Sequence, residues 1–152
     1  MPVTGRYCGQ SDIVPSLVEE SVMGALTSGE AGEPIVEAVL ATWVADAESE
    51  VDAYLCQRYT LPITGTVPQL VTRLSARLAR FRAYTGRPGE VPEWLQKDYD
   101  GAVKMLQSIA KGELGIGLTP AGEAPAVDEA SGRRVRTHSR KPVFGRSNLE
   151  DY

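Results

Sequence analysis

Any chemistry in this 152-residue chain has to come from very few groups. It holds one histidine, His138, and two cysteines, Cys8 and Cys56. A zinc site needs three or four His or Cys ligands, and these residues stand far apart in sequence. Neither thiol adjoins a base or a redox motif, so both read as free thiols, with Cys56 as a small core residue of a helix. His138 sits among Arg and Ser in a basic segment and reads as a solvated side chain. No Gly-rich phosphate loop is present, and Gly115-Ile-Gly117 follows a helix instead of opening one. Glu48 and Asp52 are four apart and share a helix face, the spacing a carboxylate pair or a divalent-cation site would use. With no nucleophile or pocket former near them in sequence, they read as a solvated or partner-facing surface. The expectation is a non-enzymatic protein without metal or cofactor.

The basic groups leave more choices. Arg73, Arg77 and Arg80 fall at i, i+4 and i+7 on one helix face, with Arg82 to the side. Aligned guanidiniums suit a nucleic-acid backbone. They also suit ion pairing with an acidic helix, within one chain or across a subunit boundary. The chain is acidic overall, at −4, and the stripe lacks interleaved exposed aromatics, so ion pairing is favoured. Residues 133–141, with Arg133, Arg134 and Arg136, form the most basic run. That run suits contact with nucleic acid or a solvated tail. Val143, Phe144, Leu149 and Tyr152 beyond it, spaced like apolar anchors, suggest a third option, a peptide laid on a neighbouring subunit's surface.

The elements that must position these groups are helical. Residues 8–28 carry a weak helical stripe, with Ser11 and Asp12 as plausible N-caps, and residues 27–32 break it. Ile35, Val36, Val39, Leu40, Trp43, Val44, Ala47, Val51, Tyr54 and Leu55 predict a long amphipathic helix over residues 34–59. Its opposite face holds Glu37, Asp46, Glu48, Glu50 and Asp52. Pro62 and Pro68 make residues 60–68 an extended connector. A second helix follows over residues 69–84, with Leu70, Val71, Leu74, Leu78 and Phe81 facing inward. The third spans residues 92–111, and Gly112 stops it. Gly101 within it costs about 1 kcal/mol relative to Ala, which suggests a close helix contact there. The fold expected is all-α: a small bundle of three main helices and a short N-terminal one over residues 1–112. Residues 113–152 lose the helical period and read as a long extended arm.

Composition bounds the setting. Hydrophobic residues at 42% and charged residues at 24% are ordinary for a globular domain. No apolar run nears the roughly 20 residues that cross a bilayer, and the first residues have no apolar signal region, so the chain is expected in the cytosol, away from membranes. Charge is uneven. Residues 1–56 hold ten carboxylates and one base, whereas residues 57–112 hold nine bases and four carboxylates. Such polarity permits stacking of copies.

Several ordered motifs carry a resemblance. They are S-D-x-x-P-x-L at residues 11–17, A-x-x-E-V-D-A-Y-L-x-x-R-Y-x-L-P at residues 47–62, and R-L-x-A-x-L-A-R-F-R-A-Y at residues 73–84. V-P-x-x-L-x-x-D-Y follows at residues 91–99, L-x-x-I-A-K-G-x-L at residues 106–114, and P-V-F-x-R-x-x-L at residues 142–149. In order and spacing the chain resembles the Mu-like prophage family of small head–tail connector proteins. The resemblance implies a structural virion protein, made in the host cytoplasm and placed in the neck. There it would form a dodecameric ring below the portal protein, joined to a downstream neck or tail-completion protein, with genomic DNA passing through without sequence-specific binding. On that reading Glu48, Asp52, Arg73, Arg77 and Arg80 are subunit-interface candidates. Arg133, Arg134, Arg136, Val143, Phe144, Leu149 and Tyr152 are candidates for docking on the portal or a neighbour. The alternative is a small nucleic-acid-binding regulator using the arginine stripe and the basic arm.

Overall fold

A computed structural model describes residues 2–86 and 91–121. The fold is all-α: α1 (Gln10–Ile13), α2 (Glu20–Ser28), α3 (Glu37–Leu55), α4 (Gln69–Thr85) and α5 (Glu93–Lys111). The three long helices pack mutually, α3 and α4 most extensively, and α1 and α2 close one side of α4. Leu40, Val44, Val51 and Leu55 of α3, Leu74 and Leu78 of α4, and Leu106 and Ile109 of α5 are buried in one cluster. Each such side chain contributes roughly 1.5–3 kcal/mol by leaving water.

The long helices start and stop for identifiable reasons. The sequence places the start of α3 at Pro34, but the helix begins three residues later. The Val36 amide donates to Thr27 Oγ1 at 2.9 Å, so residues 34–36 serve as a strap onto α2. Thr27 Oγ1 in turn donates to the Met23 carbonyl at 3.0 Å, and Gly29, at φ 100°, ends α2. Gly112 caps α5 at φ 82°, a left-handed position that favours glycine. A Cβ there would also stand 1.7 Å from Arg58 Nη1, so that long side chain would have to swing aside for any other residue.

Two expectations need correction here. The leading helical segment is split, because Pro15 cannot continue α1, and α1 is capped by Gly9 instead of Ser11 or Asp12. Asp12 sits one turn in, where its Oδ2 accepts the Gly9 amide at 2.8 Å. Gly101 meets no close helix: a Cβ there would find nothing within 4 Å.

Residues 113–121 turn back over the connector. Ile116 is buried, Leu118 is partly buried against the core, and the Ala121 amide donates to the Arg58 carbonyl at 2.7 Å.

Candidate functional site

The acidic helix is less acidic on the surface than its sequence suggests. Residues 3–10 form a tight turn, with Gly5 N–H donating to the Cys8 carbonyl at 2.9 Å and Gln10 N–H to the Val3 carbonyl at 2.8 Å. This turn sits directly on α3. Glu48 lies buried beneath it, accepting the Tyr7 amide at 2.7 Å, with Arg6 Nε at 3.5 Å from its other oxygen. Asp52, one turn on, accepts the Tyr7 hydroxyl and pairs with Arg6 Nη1 at 2.9 Å. Glu48 and Asp52 therefore do share a face, as their spacing requires, but Glu48 is not solvated: the N-terminal turn covers it. Gly5 makes the approach feasible, because a Cβ at that position would collide with Glu48 and Val44. Burial first, and then the hydrogen bond to Asp52, push the Tyr7 phenol well above its usual range.

A third carboxylate of α3 is engaged from the other side. Glu50 accepts the Tyr99 hydroxyl at 2.6 Å and Arg82 Nη2 at 2.9 Å, tying α3 to both α5 and α4. Burial and that hydrogen bond push the Tyr99 phenol up to about 12. Among the arginines of α4 it is therefore Arg82, set aside by the helical period, that pairs with the acidic helix.

The arginine stripe goes elsewhere. Arg80 is buried and pairs with Asp98 of α5 at 2.6 Å, with its guanidinium 5.2 Å from the Trp94 ring centroid. Arg77 reaches the same carboxylate at 3.8 Å. Ion pairing within the chain is thus present, but its partner is α5 and not α3. Arg73 is exposed, with no ion-pair partner among the described residues. It lines an open groove of about 470 Å³ between α1 and α4, with Ser11, Asp12, Ser16 and Thr72.

Cys56 is exposed, contrary to the core position its helical pattern suggests, and Cys8 is the buried thiol. Cys8 Sγ lies 3.3 Å from Ser75 Oγ, and burial pushes the thiol up to about 11. Among the described residues no group of three or more His, Cys, Asp or Glu is arranged to hold a metal ion. None of their helices is long and apolar enough to cross a membrane. The docking candidates Arg133, Arg134, Arg136, Val143, Phe144, Leu149 and Tyr152 lie outside the described residues, as does His138.

What remains on the surface is apolar in places. Trp94 is 54% exposed and Met105 37%, both on α5. Trp94 leans edge-on against Tyr84, and Phe81 stacks on Tyr99 at 4.1 Å between centroids. Sequence periodicity places Trp94 and Met105 as flanks of α5, and both do stand outside its buried stripe. The N-terminal turn is the feature that sequence reasoning missed. Its one available signal is Gly5-Arg6-Tyr7, a small residue followed by a cation and a hydroxyl donor.

The molecule is a small all-helical protein whose charged side chains largely bind its own helices together. The chain belongs to the Bacteriophage Mu Gp36 family, whose model matches residues 7–136. It is 28% identical over 107 residues to the Mu-like prophage FluMu protein gp36 of Haemophilus influenzae, covering 70% of each chain. It is 30% identical over 110 residues to gene product J of Escherichia phage Mu, covering 72% of this chain and 73% of that protein. The Mu-like part of the resemblance is therefore borne out, and this is a Mu-like phage protein.

Proposed function

We propose that this chain is a structural virion protein, a head–tail connector. It forms a ring below the portal, joins capsid to tail, and lets DNA pass. The observation that carries the reading is membership of the phage Mu Gp36 family across most of the chain. The structure supports it physically. The helical body is held together by engaged charges, while Trp94, Met105 and Leu114 stay exposed for contact with other molecules. On this reading the protein has no catalytic role and needs no cofactor. Its partners are copies of itself, the portal protein and a downstream neck or tail-completion protein, and it resides in the neck of the virion.

The α3 carboxylates shape the electrostatics of such a ring. Glu48, Glu50 and Asp52 are engaged within the chain, so a DNA-repelling channel wall would draw on exposed side chains such as Asp46. The regulator reading loses part of its support, because Arg77 and Arg80 already share Asp98, while Arg73 is exposed and the basic residues 133–141 lie outside the described residues.

Deletion of the gene from an inducible prophage tests the proposal. DNA-filled heads without attached tails, rescued by the gene in trans, are the expected outcome. Labelled protein should appear at the head–tail vertex in the electron microscope. Infectious tailed particles from the deletion would sink the reading.

A further inference from the structure

We propose that the flank of α5 carrying Trp94, Gly101 and Met105 docks on the exposed face of α3 in a second copy of this chain. The inference rests on the ring reading above and names the two surfaces that would build the ring.

The α5 surface is defined by spacing. Trp94, Gly101 and Met105 follow one another at seven and four residues, which places them on one line along the helix. Trp94 and Met105 are the two large apolar side chains exposed on α5, at 54% and 37%. Gly101 lies between them, and a Cβ there would meet no other element among the described residues within 4 Å. No contact among the described residues explains a glycine there, although it costs about 1 kcal/mol against Ala. A second helix laid along this line would use the gap for close approach, with Trp94 and Met105 as projecting knobs at either end. Lys97, Lys104 and Lys111, at seven-residue spacing, run beside it, all exposed. Lys97 also makes an exposed i,i+4 pair with Glu93 at 2.7 Å, which water screens and which is easily exchanged.

The α3 surface is its complement in shape and sign. Ala38, Thr42, Ala45, Ser49, Ala53 and Cys56 are exposed along one face of the helix. All have small side chains, so the face is smooth enough for another helix to approach. Asp46 is exposed at its edge and no base lies on the helix, so Asp46 supplies the opposite charge to the lysine row, Glu48, Glu50 and Asp52 being engaged within the chain. The lengths match as well. Trp94 and Met105 are eleven residues apart, about 16 Å along a helix, and so are Ala38 and Ser49.

A contact between α5 of one copy and α3 of the next is heterologous, because the two partners use different surfaces. Repeated, it propagates around a ring and need not stop at a pair.

Sedimentation of the full-length protein and two double variants tests this. Trp94→Glu/Met105→Glu removes the α5 flank, and Ala45→Arg/Ser49→Arg removes the α3 face. All four positions are exposed, so circular dichroism should show wild-type folding in each. The wild type should sediment as a species larger than a dimer, each variant alone as a monomer, and the equimolar mixture as a dimer held by the one intact contact. A mixture that stays monomeric, or a wild type that is monomeric up to its solubility limit, overturns the inference. Undiminished assembly of both variants overturns the α5–α3 contact and leaves the ring reading standing. A wild type that closes at a dimer, dissolved by either variant, keeps the contact and removes the ring. If the α5 variant assembles normally but no longer co-sediments with the portal ring, the flank belongs to the portal and the second-copy assignment is wrong.

Discussion

Arg80 Nη2 donates to Asp98 Oδ2 at 2.6 Å, and this pair locks α5 against α4. The Arg80 side chain is only 10% exposed, so its charge has little water to fall back on. Removing a partner from a buried pair leaves an uncompensated charge and can cost about 3–5 kcal/mol. Asp98 is partly exposed, which softens the loss.

Asp98→Asn should therefore lower stability by about 2 kcal/mol, read as a lower urea midpoint with an unchanged slope. Replacing both partners, as Arg80→Met with Asp98→Leu, should recover most of the loss. A double variant as unstable as the single would mean that the pair matters for more than the charge it neutralises.

Glu48 holds the N-terminal turn. Glu48→Ala leaves the buried Tyr7 amide without its acceptor, a loss of about 1–3 kcal/mol. Proton exchange at Tyr7 and Cys8 should accelerate much more than at the buried centre of α4. Uniform acceleration would show that the turn and the bundle open as one unit.

Alkaline pH should destabilise the fold. Native Tyr99 titrates near 12, Cys8 near 11, and Tyr7 higher still, each above its ordinary value. A raised native value means that the unfolded chain loses its proton first. Stability is thus fully present below about pH 9 and falls as pH rises through roughly 9 to 12. Thermal melts across that window should show the decline, and Tyr99→Phe should flatten its upper part. The same burial should leave Cys8 slow towards a thiol reagent at neutral pH, whereas Cys56 reacts at once.

Gly101→Ala should stabilise the isolated protein by about 0.5–1 kcal/mol, since a methyl group meets nothing there. If α5 docks on α3 of a second copy, the same change should weaken self-association. A gain in melting temperature without loss of assembly would place Gly101 outside the contact.

The bundle was legible in sequence because α3, α4 and α5 bury stripes that repeat at helical spacing, and Gly112 is a strong stop. Helix starts were less so: the strap from Thr27 to Val36 bridges nine positions that local propensity treats separately. The charged residues were legible as faces but not as pairs. Arg80 and Asp98 are eighteen residues apart, and only the packing angle of α4 on α5 decides that they meet. Cys56 follows the apolar Leu55 within a helical pattern, and periodicity alone could not say that it turns outward.

The turn at residues 3–10 also imposes an order on synthesis. Tyr7 leaves the ribosome 41 positions ahead of Glu48, and Cys8 emerges 67 positions ahead of Ser75. At roughly 5–20 residues per second, this turn waits several seconds for the surfaces that hold it. This turn is thus among the last parts of the bundle to find its place, and the fold becomes complete only after α4 has been translated.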